Sequence, residues 1–149
     1  ECLSIIFKAM GMLVKRFKRE VIYPMHPRTR SKLDRIAIPD GVRIMDPLGF
    51  YDFNRLLKEA YCVVSDSGTA AEEGLFYQVP NVSLRMATER FETLESGATI
   101  VSGMDVNNIV ESVVTATSLP WGARYEFEED YSPSSVVVNA IRTQITNFF

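Results

Sequence analysis

Hydrophobic positions along the chain form two alternating kinds of segment. Segments with apolar residues three and four positions apart predict amphipathic helices, and short β-branched runs predict strands. The predicted helices cover residues 3–18, 31–36, 51–60, 69–77, 91–96, 105–115 and 132–148. The predicted strands cover residues 21–25, 42–45, 62–65, 81–84 and 99–101.

Strands that alternate with helices at this spacing predict an α/β fold, with one Rossmann-like parallel sheet and helices on both faces. The strand at residues 62–65 is apolar without alternation, which is typical of a central strand covered on both faces. In such sheets ligands bind beyond the carboxyl ends of the strands. His26 and the segments at residues 67–69 and 88–90 each follow a strand, so we expect them to lie at that edge.

Composition narrows the class of protein. A chain of 149 residues, 46% hydrophobic and 23% charged, suits one globular domain with no repeat. The net charge of −3 gives no basic face for nucleic acid. No run approaches the roughly 18 apolar residues of a membrane span. The basic residues 15–19 and the acidic residues between 126 and 130 are expected to be a solvated helix end and a solvated loop.

Two cysteines, Cys2 and Cys62, lie far apart, which favours reduced thiols in a cytoplasmic protein. With these two thiols and a single histidine, His26, a zinc site is not credible. The chain begins at Glu1, without Met, inside a predicted helix. We therefore expect it to be one piece of a longer polypeptide.

The segment at residues 63–74 is the main candidate for chemistry. A β-branched run ends in Ser65-Asp66-Ser67-Gly68-Thr69, after which good helix formers begin. A strand, a tight turn and a helix start would direct backbone N–H groups and the positive end of the helix dipole at one point, where an anion such as phosphate fits. The carboxylates of Glu72 and Glu73 lie one turn on, and carboxylates suit sugar hydroxyls. The alternative is a turn that only connects two elements.

Several other sites are excluded at this segment. It has neither the spacing and lysine of a P-loop nor the G-x-G-x-x-G of dinucleotide-binding folds. Ser67 does not stand in G-x-S-x-G, and a triad would have to use His26 from another strand end. Glu72 and Glu73 lie about 100 degrees apart on a helix, so they cannot both face one reacting atom.

Three linked motifs resemble the C-terminal half of the UDP-N-acetylglucosamine 2-epimerases. Residues 65–73 match T-D-S-G-G-x-x-E-E, residues 79–85 match the strand at G-x-P-V, and residues 85–92 match R-x-x-T-E-R-P-E. Residues 26–27 and 47–48 are similar to the H-P and P-L segments of that family. The departures are Thr69, Ala71, Met86 and Phe91, and branches that act on 6-deoxy amino-sugar nucleotides look similar to this version.

The resemblance implies a two-domain fold of the GT-B type, of which residues 1–149 are the C-terminal nucleotide-binding domain. By position, Ser67, Gly68 and Thr69 would hold the diphosphate of UDP, and Glu73 would accept hydrogen bonds from the ribose. Phe53 and the loop before it would border the uracil. Arg90 would stand near the phosphates or support that loop. His26 would face the domain cleft, where some members bind a second, regulatory sugar nucleotide.

The implied reaction inverts C2 of a UDP-2-acetamido sugar, in polysaccharide precursor synthesis and without a cofactor. A base removes the C2 proton, UDP leaves, and both steps then reverse with the proton returned on the other face. The carboxylates for this chemistry and a histidine of an H-R-x-E-N segment would lie outside the chain, which alone would bind UDP weakly and have no catalytic residue. The full-length enzyme would be a homodimer. The alternatives are a GT-B glycosyltransferase and a non-enzymatic module that binds sugar nucleotides.

Overall fold

The computed structural model describes residues 2–33, 36–118, 134, 135, 137, 138 and 141. Helices and strands alternate through residue 118 in the following order: α1 Cys2–Phe17, β1 Val21–Pro24, α2 Pro27–Arg30, β2 Val42–Met45, α3 Phe50–Lys58, β3 Val63–Ser65, α4 Gly68–Phe76, β4 Asn81–Ser83, α5 Phe91–Glu95, β5 Thr99–Val101 and α6 Val106–Ser118. The acidic residues between 126 and 130 lie outside the described residues. So does most of the helix predicted at 132–148.

The strands pair in parallel, which confirms the predicted α/β architecture. They form two hydrogen-bonded sheets, one with the order β1-β2 and one with the order β3-β4-β5. In the first, Val21 lies opposite Val42, and in the second, Val63 lies opposite Asn81, which lies opposite Thr99. Among the described strands the predicted single sheet is therefore divided into two separate hydrogen-bonded sheets.

The prediction that β3 is a central strand is wrong for the described part of the chain. β3 lies at one edge of its sheet, and Val64 is 37% exposed. An apolar run indicates that its side chains avoid water, but it does not reveal how many strands pair with its backbone.

Helix α1 packs across both sheets. Phe7 meets Tyr23 of β1 edge to face, with 6.1 Å between ring centroids. Further along α1, Leu13 joins a buried cluster with Val82 of β4 and Val110 of α6. The apolar stripe that predicted α1 is thus the surface that holds the two sheets together.

The helix predicted at 31–36 is wrong for residues 31–33 and 36, and residues 34 and 35 lie outside the described residues. The helix α2 lies earlier, at Pro27–Arg30. The Nδ1 atom of His26 accepts a hydrogen bond from the Arg28 backbone N–H at 3.2 Å and caps α2. Pro27 occupies the first helical position, where its missing N–H costs nothing. The helix ends at Arg30, and residues 31–32 form a turn. A histidine cap followed by proline starts this helix where the apolar spacing gave no signal.

Candidate functional site

The turn between β3 and α4 has the geometry of an anion site. Ser67 caps α4, because its Oγ atom accepts a hydrogen bond from the Ala70 N–H at 3.4 Å. The Ser67 N–H donates to Ser65 Oγ at 3.0 Å, which holds the turn. The next N–H groups, those of Gly68 and Thr69, make no hydrogen bond within the described residues. A nine-residue helix therefore presents two backbone donors and its positive dipole end beyond the carboxyl end of β3.

Arg90 lies directly over this helix start. A Cβ atom built on Gly68 would stand 3.1 Å from Arg90 Nε, so the absence of a side chain at Gly68 makes room for the guanidinium. Arg90 Nη1 lies 3.0 Å from Glu72 Oε1. Its Nε atom is buried and has no hydrogen-bond partner in the described part of the chain. The structure thus places Arg90 against Gly68, the residue that follows the helix cap Ser67.

The two adjacent glutamates point in different directions, as their helical spacing requires. Glu72 is exposed and pairs with Arg90, whereas Glu73 is half-buried one position further on. For the residues that the structure describes, no ion pair involves Glu73. The pairing of Glu72 was not predicted, and it neutralises part of the charge that Arg90 would offer to an anion.

Arg85, to which the sequence assigned no role, connects the two loops of the site. Its Nε atom donates to the Asp66 carbonyl oxygen at 2.7 Å, in the turn before α4. Its Nη1 atom donates to both carboxylate oxygens of Glu89, each at 3.0 Å. Hydrogen bonds from the Glu89 backbone amide and then from Arg85 lower the pKa of the Glu89 carboxyl. An arginine directly after a strand, with a glutamate four residues on, was the available signal.

Phe53 and His26 lie on other elements of the fold. Phe53 is half-buried in the first turn of α3, and α3 packs on α4 through a hydrogen bond of 3.0 Å from Tyr77 Oη to Asn54 Oδ1. His26 follows β1, which belongs to the other sheet. Burial and then the charge of Asp66 raise the pKa of Tyr23 in β1.

The described residues contain neither a candidate metal site nor a candidate membrane-spanning helix. No three or more His, Cys, Asp or Glu side chains there are grouped to hold a metal ion. No helix there has the length and apolar character needed to cross a bilayer.

Comparison with known proteins agrees with the motifs. A profile of the family described as UDP-N-acetylglucosamine 2-epimerase matches residues 1–134. The UDP-N-acetylglucosamine 2-epimerase of Methanococcus maripaludis is 34% identical over 119 residues, which are 76% of this chain and 32% of that protein. The UDP-2,3-diacetamido-2,3-dideoxy-D-glucuronate 2-epimerase of Pseudomonas aeruginosa is 35% identical over 96 residues, 64% of this chain and 27% of that protein.

A solved structure shares the fold. The crystal structure of Methanocaldococcus jannaschii UDP-GlcNAc 2-epimerase in complex with UDP-GlcNAc and UDP aligns with a TM-score of 0.77 and 25% identity. The alignment covers 95% of this chain and 41% of that chain. Our chain therefore corresponds to part of each of these proteins, and it spans about a third of the curated relatives it matches.

Proposed function

The chain belongs to the UDP-N-acetylglucosamine 2-epimerase family, and we propose that it supplies the UDP-binding domain of an enzyme that epimerises C2 of a UDP-linked 2-acetamido sugar. The observation that carries this proposal is the Ser67-capped start of α4 with Arg90 over Gly68. The two relatives compared above are named for UDP-linked sugars, N-acetylglucosamine and 2,3-diacetamido-2,3-dideoxyglucuronate. Each of these sugars carries an acetamido group at C2.

The diphosphate is the part of the ligand that this geometry suits best. Backbone N–H groups at a helix start bind anions without a positively charged side chain. Gly68 lets a phosphate oxygen approach the backbone, and Ser67 and Thr69 add hydroxyl groups. Arg90 adds the charge-assisted hydrogen bonds that phosphate oxygens prefer. Arg90 Nη1 lies 3.0 Å from the Glu72 carboxylate. When the ligand binds, Arg90 gives up this ion pair and donates to the phosphate oxygens.

The remaining predicted residues would orient the nucleoside and the sugar. Glu73 accepts hydrogen bonds from the ribose hydroxyls, Phe53 and the loop before it border the uracil, and His26 faces the domain cleft. A carboxylate that binds two hydroxyls would distinguish ribose from deoxyribose, because one of its hydrogen bonds is lost when a hydroxyl is missing.

In the proposed reaction this domain binds the leaving group. When the C1–O bond breaks after loss of the C2 proton, negative charge develops on the diphosphate of UDP. Donors already directed at that position stabilise the charge without reorganisation. The proton transfers themselves are assigned to carboxylates of an N-terminal domain of the same polypeptide. We further propose that the full-length enzyme is a cytoplasmic homodimer that needs no cofactor.

A titration with UDP tests the proposal. Backbone amide signals of residues 67–73 are followed by NMR while UDP is added up to millimolar concentration. We expect the amides of Gly68 and Thr69 to shift most, because they lie at the exposed start of α4. Uridine, which lacks the phosphates, is the control ligand. Amide signals that do not move at millimolar UDP would contradict the proposed site.

A further inference from the structure

We propose that Arg85 is a positioning residue that sets the place of Arg90 over Gly68 by joining the two loops of the site. The inference rests on the proposed UDP site and deepens it. Arg85 contacts the Asp66 carbonyl in the turn before α4 and the Glu89 carboxylate in the loop after β4.

The contacts of Arg85 form a continuous chain to the helix start. Glu89 accepts from Arg85 with both oxygens at 3.0 Å, and its Oε1 atom lies 3.8 Å from Arg90 Nε. Arg90 in turn pairs with Glu72 of α4. Charges of alternating sign thus run from the loop after β4 to the first turns of α4. Glu89 directly precedes Arg90 in the chain, and its carboxylate lies beside the Arg90 guanidinium. A displacement of Glu89 would therefore also move the backbone and the side chain of Arg90.

The geometry requires arginine rather than positive charge alone. One guanidinium donates to a backbone carbonyl at 2.7 Å and to two carboxylate oxygens in the same arrangement. A guanidinium can do this because its donors form a planar fork, whereas a lysine ammonium is a single charged point on a flexible stem. The backbone on both sides is also held, since the Leu84 N–H donates to the Ser65 carbonyl at 3.1 Å.

Other arginines provide a matched control. Arg55 pairs with Glu59 on α3, also four residues apart, with 3.4 Å between Nε and Oε1. Both of those side chains are largely exposed, and the pair lies at the end of one helix, where Glu59 is the C-cap of α3. A loss of surface charge or of a glutamate partner would affect the Arg55→Met and Arg85→Met variants alike. Only the second variant separates the two site loops.

The test combines a spectroscopic signal with affinity for UDP. The Nε–H signal of Arg90 is recorded by ¹H–¹⁵N NMR without ligand, and UDP binding is measured by calorimetry. We expect Arg85→Met to shift the Arg90 signal and to weaken UDP binding about tenfold, the order of a lost hydrogen bond to a charged group. Arg85→Lys should not restore either property, and Arg55→Met should change neither.

Each outcome decides the inference. An Arg90 signal that stays in place in Arg85→Met, or full rescue by Arg85→Lys, would overturn it. A moved signal with unchanged UDP affinity would overturn the link to the ligand. If the unchanged chain does not bind UDP, the proposed function fails, and the Arg90 signal alone still decides whether Arg85 positions it. Should Arg85→Met not fold, Glu89→Gln breaks the same link from the other side and is expected to shift the same signal.

Discussion

Replacing Gly68 with alanine should strengthen the fold and weaken the site. The backbone at Gly68 is not left-handed, so alanine can adopt it. Alanine in place of glycine at a compatible position stabilises a protein by about 0.4–1 kcal/mol, because the unfolded chain has fewer conformations to lose. For a chain of this size we expect the melting temperature to rise by about 1–4 °C.

The binding site should respond in the opposite direction. The added methyl would lie 3.1 Å from Arg90 Nε, 3.6 Å from Nη2 and 3.8 Å from Cγ. Arg90 must then shift by a few tenths of an ångström, and the methyl also stands where a phosphate would approach the Gly68 N–H. Losing a charge-assisted hydrogen bond of about 1.5–3 kcal/mol weakens UDP binding about tenfold or more.

Scanning calorimetry on the Gly68→Ala variant measures the melting temperature, and titration calorimetry measures its affinity for UDP. Uridine is the control ligand, because its binding should not change. A double-mutant cycle with Arg90→Ala separates the two causes of weaker binding. If the methyl acts through Arg90, Gly68→Ala costs less affinity in the Arg90→Ala background. Unchanged UDP affinity in the single variant would refute the reasoning, and equal losses in both backgrounds would refute the part that involves Arg90.

Three further predictions concern neighbouring groups. Glu72→Gln should strengthen UDP binding about two- to fivefold in calorimetry, because an exposed partner that competes for Arg90 is worth at most about 1 kcal/mol; weaker binding would contradict that competition. Glu73→Ala should weaken binding of UDP more than of 2′-deoxy-UDP, and equal losses would remove the ribose role. Burial raises the pKa of the Cys62 thiol from 9.0 to about 12, so a thiol reagent at pH 8 should label exposed Cys2 and spare Cys62 until the chain is denatured. Because this pKa is raised in the folded state, the neutral thiol's contribution to stability is complete below pH 9 and is lost as pH rises towards about 12. Rapid labelling of both thiols in the native chain would contradict the burial.

Local patterns determined most of the elements and the start of the site. The strand at residues 42–45 was predicted with the bounds it has, and Asp105 caps α6 as expected, with its Oδ1 atom accepting from the Asn107 and Asn108 N–H groups. The start of α4 was predicted at residue 69, one residue after its position in the structure at Gly68, because a cap, a turn and a helix are interactions over three or four residues. The start of α2 is also a local interaction, but the sequence did not predict it because its cap is a histidine.

Only the tertiary structure decided how the charged residues of the site combine. Arg85, Glu89 and Arg90 belong to a recognised motif, yet nothing in their spacing says that Arg85 contacts the Asp66 carbonyl or that Arg90 selects Glu72 over Glu73. Those contacts depend on β3 and β4 lying side by side, which brings residues about 20 positions apart within hydrogen-bond distance. The pairing of strands also left β3 at an edge, which its apolar run could not reveal. Helix periodicity and capping are read along the chain, whereas strand order and ion pairing depend on which segments become neighbours in space.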